Sequence, residues 1–156
     1  MRMSGVAVLA IVSLFAVVRS QAADGDANAE AVAKDLQVLK GAWRMNSKEV
    51  DGRKFSDKEI KDVIGTIDGS GKVSVRRGDK VINEGTVKLD PTKKPKAIDI
   101  TFTAGERKGQ MVLGIYEIEG DTFRVCVARP GDERPAELSA KAGSGRTLVA
   151  YQREKK

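Results

Sequence analysis

The sequence predicts an all-β domain, an antiparallel up-and-down barrel of about eight strands, with a short N-terminal helix and a short helix in the first inter-strand loop. Three observations carry that expectation. Short runs with apolar and polar residues in alternation recur between residues 42 and 153. The segments between them, among them "DGSG", "RGD", "AGERKG" and "EGD", are the turn chemistry of Gly, Asp and Pro. Closing such a string of hairpins on itself is what removes an exposed sheet edge. At 156 residues there is room for one domain with a modest core.

The first segment reads as a leader. Arg2 precedes "VAVLAIVSLFAVV" (Val6 to Val18), and Ser20 and Ala22 follow as small residues at an A-x-A-like cleavage site. The apolar run is too short for a span, which needs about 20 residues. The expected organisation is therefore 1–22 signal peptide, 23–40 linker and short helix, and 41–154 barrel domain. Localisation is expected to be periplasmic or secreted, with no membrane span after processing. Loss of Arg2 and Arg19 would lower the net charge of +6 by two.

The elements follow in chain order. Val32, Leu36 and Leu39 share one helical face, with Asn28 read as the N-cap and Gly41 as the stop. Ala42 to Val50 forms a strand that ends at the Asp51-Gly52 turn. Ser56 and Glu59 then form a capping box, with Phe55 and Ile60 placed as a staple, so a short helix starts near Asp57. Strands are expected at 63–68, 72–76, 80–89, 97–103, 110–119, 122–128 and 146–153. Ile98, Ile100 and Phe102 share the inner face, as do Phe123, Val125 and Val127. The strand at 110–119 is apolar on both faces. Its outer stripe of Met111, Leu113 and Ile115 needs a cover, expected from the N-terminal helix or a homodimer partner.

Composition excludes several activities. With no histidine anywhere, Ser-His-Asp triads, Cys-His pairs and His-based metal sites are absent. The lone Cys126 has no cysteine to pair with and no histidine to activate it, and reads as a small packed residue. Neither "DGSG" nor "PGDERP" has the alternating oxygen ligands of a calcium loop, and "GSG" at 143–145 lacks the helix of a phosphate loop. The basic residues form no long block and aromatics are scarce, so nucleic acid is not an expected partner. "RGD" at 77–79 is accounted for by a tight hairpin. A carboxylate pair remains open, since chain spacing does not give separation in space. The expectation is a non-enzyme with no cofactor and no metal.

Gly41-x-Trp43 on the first strand, after a short helix, with Arg153 in the last strand, resembles the lipocalin and calycin signature. The resemblance implies a Trp closing one barrel end with the Arg packed over its indole. A closer likeness covers Leu36 to Arg153. "LKGAWRMNSKEVDGRK", "LDPTKKPKAIDITF", "KGQMVLGIYEIEGDTFRVCVARPGDERPAEL" and "GSGRTLVAYQR" resemble an uncharacterised lipocalin-like domain family found mainly in planctomycete bacteria. That likeness implies a small barrel, often exported, and brings no site residues with it.

Two functions are expected to compete. One is the binding of a small apolar ligand inside the barrel. The other is an extracytoplasmic interaction or inhibitor module acting through its loops, with no ligand cavity. In an up-and-down barrel the connections at 51–62, 77–80, 104–109 and 129–145 share one rim, opposite Trp43 and Arg153. A ligand or partner is accordingly expected near Phe55, Arg107, Arg129 and Arg134, with Phe102, Val112 and Tyr116 lining any cavity below. Gly85 and Gly114 could make room for one. The chain is expected to be a monomer or a homodimer.

Overall fold

The computed structural model describes residues 21–155. The leader expected over 1–22 lies outside them, apart from the backbone at 21 and 22. Helix α1 (Gln21–Leu39) leads into β1 (Gly41–Val50), followed by the two-residue β2 (Arg53–Lys54) and helix α2 (Asp57–Ile60). Then come β3 (Val63–Ile67), β4 (Lys72–Arg77), β5 (Lys80–Asp90), β6 (Lys96–Gly105), β7 (Met111–Glu119), β8 (Thr122–Val127) and β9 (Thr147–Arg153).

Each of β1 and β3 to β9 pairs antiparallel with its neighbours, and β9 returns to β1, with Trp43 opposite Arg153 and Val50 opposite Thr147. The result is a closed eight-stranded up-and-down barrel, with β2 as a short hairpin extension of β1. The alternating faces of the sequence become its inside and outside. Trp43, Ile67, Ile98, Phe102, Val112, Tyr116, Phe123, Val125 and Val149 form one buried cluster.

The chain enters the barrel through Gly41, whose φ of +127° suits a residue without a Cβ. Two residues on, Trp43 points inward, 1% exposed, and its Nε1 donates to the Leu39 carbonyl at 2.7 Å. The Arg153 guanidinium lies 4.2 Å from the indole ring and donates to the Val38 carbonyl at 2.6 Å. A cation thus covers the aromatic face and also meets the negative end of α1.

Two expectations about the wrapping segments are corrected. Asn28 lies inside α1, not at its cap, because the helix already runs from Gln21. Furthermore, α1 does not cover the outer stripe of β7. Its Val32, Leu36 and Leu39 pack against the barrel core at the end closed by Trp43. Leu36 reaches the turn at Gly71 and Gln37 the turn at Gly69. The outer stripe is covered by residues 128–146. The Ala128 N–H donates to the Leu113 carbonyl at 2.9 Å. Pro135 and Ala140 are buried, and Cys126 donates to the Ser139 carbonyl at 3.4 Å. Beneath this strap Ile115 is 1% and Cys126 0% exposed, while Met111, beyond it, remains 55% exposed.

In α2 the glutamate arm of the capping box is formed. Glu59 Oε2 accepts from the Ser56 N–H at 2.8 Å and from its hydroxyl at 2.9 Å. Arg53 pairs with Glu59 from the other side. Backbone and hydroxyl donors from Ser56, with Arg53, hold the Glu59 carboxyl below the usual range.

Candidate functional site

The barrel is not solid. A cavity of about 340 Å³ lies along its axis, above the lower limit of about 300 Å³ typical of small-molecule sites. Its floor is Trp43, Ile98 and Phe123, with the Trp43 and Phe123 rings tilted at 5.8 Å between centroids. Its walls are Met45 from β1, Val73 and Val75 from β4, Val87 from β5, Ile100 and Phe102 from β6, and Val125, Val149 and Tyr151 from β8 and β9. Tyr151 stacks on Phe123 at 5.9 Å, and burial pushes its phenol up to about 12.

The mouth is different in character. It is formed by Lys48, Arg77, Asn83, Glu106, Arg107 and Thr147. Arg77 and Glu106 are exposed while the floor residues are buried, so the cavity opens at the end away from α1. Arg107 lies with its guanidinium 4.4 Å from the Phe102 ring, its N–H on Asn83 Oδ1 at 3.1 Å and its Nε on Gln110 Oε1 at 3.1 Å. Arg77 Nη2 donates to the Glu59 carbonyl at 3.0 Å, tying the mouth to α2. Lys48 is half-buried. Burial first, then Arg77, Arg107 and Arg53, pulls its ammonium below the ordinary lysine value, with Glu106 acting in the opposite sense.

Of the residues expected at a site, the structure brings Phe102 and Arg107 to the cavity. Phe55 stands beside the mouth, between Lys48 at 4.6 Å and Arg53 at 4.2 Å from its ring. Val112 has the expected inward direction but is fully buried among core side chains, away from the cavity surface. Tyr116 is likewise buried, its hydroxyl turned to α1. Neither Arg129 nor Arg134 lines the cavity. Arg129 pairs with Asp51 at 3.5 Å. Arg134 clamps the strap to the outer wall through the carbonyls of Ile98 (3.1 Å) and Gly114 (2.7 Å) and the Asp99 carboxylate (2.7 Å). Gly85 and Gly114 do not create the cavity either. A Cβ would stand 2.3 Å from the Thr101 carbonyl oxygen at Gly85 and 2.6 Å from that of Cys126 at Gly114, so both serve close strand packing.

Lys48 escapes a reading by strict alternation. Asn46 is an extra residue opposite β9, where the register shifts between Met45 and Ser47. Trp43 and Met45 point inward before this bulge, and Lys48 after it. The only advance signal is the polar "NS" pair interrupting the strand.

A second concavity, of about 440 Å³, lies on the outer wall between the 91–95 turn and the strap, against Lys88, Ile115 and Pro135. It is larger, yet its central polar groups are already engaged. Arg134 is held as described, and Asp90 accepts from Thr92. The axial cup, with a closed apolar floor and a charged mouth, is the better candidate. No protein-family model matches the chain, and no curated protein or solved structure is significantly similar to it. No helix among the described residues is long and apolar enough to cross a membrane.

Proposed function

We propose that the protein binds a small apolar ligand in the axial cup without transforming it, and that it does so outside the cytoplasm as a member of the lipocalin-like family its sequence resembles. The observation that carries this reading is the cavity of about 340 Å³ with a floor of Trp43, Ile98 and Phe123. Small eight-stranded barrels can be filled by their own side chains. A loop-borne interaction module needs no such opening, whereas a ligand binder does. The Trp43 and Arg153 arrangement supports the family reading, and the leader-like sequence over 1–22 supports export.

The test is titration of an environment-sensitive apolar dye with fatty acids as competitors, on the native protein and on Val73→Phe. Val73 lines the cup, so a ring there fills it. Saturable binding that is displaced by competitors and lost in Val73→Phe is expected. Absence of saturable binding, or binding indifferent to the substitution, rejects the cup as the site.

A further inference from the structure

The mouth of the cup carries more charge than an apolar ligand requires. Three cations, Lys48, Arg77 and Arg107, meet one carboxylate, Glu106. Among the described residues, none of the three has a carboxylate within ion-pair distance, although seven other ion pairs form elsewhere in the chain. The nearby Arg53 is already taken by Glu59. Lys48 and Arg107 are both partly buried. The terminal guanidinium nitrogens of Arg107 and the Lys48 ammonium donate to no acceptor among the described residues.

Such an arrangement of charges is costly in itself. A partly desolvated charge without a counter-ion destabilises the fold, and like charges converging at one rim add repulsion. Glu106, exposed to solvent, offsets part of this. An anion seated among the three cations would remove both costs. Directly below lie mainly apolar walls, with Thr66, Ser74 and the Tyr151 phenol as their polar members, and the Trp43 floor.

We infer that the ligand is a single-chain amphiphile with one anionic head, held at the mouth by Lys48, Arg77 and Arg107 while its apolar tail descends toward Trp43. This rests on the cup being the binding site. At about 30 Å³ for each water-sized group, a cavity of about 340 Å³ takes a tail of medium length.

The test is calorimetric titration of the full-length protein with decanoate, decanol and decyltrimethylammonium, which share a tail and differ in head charge. Decanoate is expected to bind about tenfold or more tighter than decanol, the scale of one charge-assisted hydrogen bond, and the cation weakest. Lys48→Met and, separately, Arg77→Gln should each weaken decanoate more than decanol and so narrow the gap between them. Added salt should narrow the gap. Equal binding of decanoate and decanol, or a decanoate preference undiminished in both variants, overturns the head-group assignment and leaves the cup standing. Failure of all three to bind rejects the cup and this inference with it.

Discussion

The Tyr116 hydroxyl donates a 2.7 Å hydrogen bond to Oδ2 of Asp35, and Lys96 Nζ reaches the same oxygen at 2.8 Å. One carboxylate on α1 thereby joins the helix to β6 and β7. Asp35 is only 8% exposed, so it is the polar rivet within an otherwise apolar seat. Burial first, then the bond to Asp35, pushes the Tyr116 phenol far above its ordinary value.

Asp35→Ala should therefore loosen the helix by more than an average surface substitution. It strands a buried hydroxyl and a lysine, at a cost of about 1–3 kcal/mol. Urea unfolding followed by circular dichroism measures this. Tyr116→Phe combined with Asp35→Ala should cost less than the sum of the two alone, because each removes the same partnership. Additive losses would mean that the pair is not coupled.

Trp43→Ala should cost about 3–5 kcal/mol, as truncation of large buried aromatics does. In the native protein, the sole tryptophan should emit at the short wavelength of a buried indole. Removing its cover with Arg153→Ala should shift the emission to longer wavelength with a smaller loss of stability, about 0.5–2 kcal/mol. Native emission characteristic of water-exposed indole would contradict the Trp43 environment.

Cys126 is 0% exposed, and burial pushes its thiol up. It should resist a thiol reagent such as DTNB in the folded protein. Arg134→Ala removes three of the strap's attachments to the wall, so Cys126 should then react while the barrel stays folded. A thiol that reacts equally fast in both proteins would place the cover elsewhere.

Lys48 gives a pH signature. Its folded value lies below the ordinary 10.5 because of burial and because Arg77 of β4, Arg107 of the β6–β7 loop and Arg53 of β2 face it, against Glu106 alone. The folded state thus holds this proton less tightly than the unfolded chain. The resulting penalty is complete below the depressed folded value and disappears as pH rises toward 10.5. Lys48→Met should be more stable than the native protein at pH 7, with the difference shrinking at alkaline pH. Urea midpoints at neutral and alkaline pH test this. A less stable variant at pH 7 would reverse the sign.

The barrel was legible because its determinants are local. Alternation in "AIDITF" and Gly-Asp turns such as "EGD" assign face and reversal without reference to distant residues. The seat of α1 was not. Val32, Leu36 and Leu39 declare that one face is covered, whereas the choice of the Trp43 end depends on Asp35 meeting Tyr116 and Lys96 far along the chain. At the site, Phe102 and Arg107 followed from strand phase and rim position, and Lys48 was hidden by the Asn46 bulge. Arg129 stays at the rim on Asp51 without lining the cavity, and Arg134 was misplaced because loop length gives reach and not direction. Arg134 turns outward to the Ile98 and Gly114 carbonyls on the outer wall.

The pairing of β1 with β9 makes the order of assembly matter. A chain emerging N-terminal end first carries β1 and β8 as two open edges until β9 arrives between them. Those edges are the surfaces most prone to stick to other chains. No fragment that lacks β9 is a finished smaller barrel, since it keeps two open edges. Trp43 stands opposite Arg153 in that final seam, so its light emission times the closing of the barrel itself.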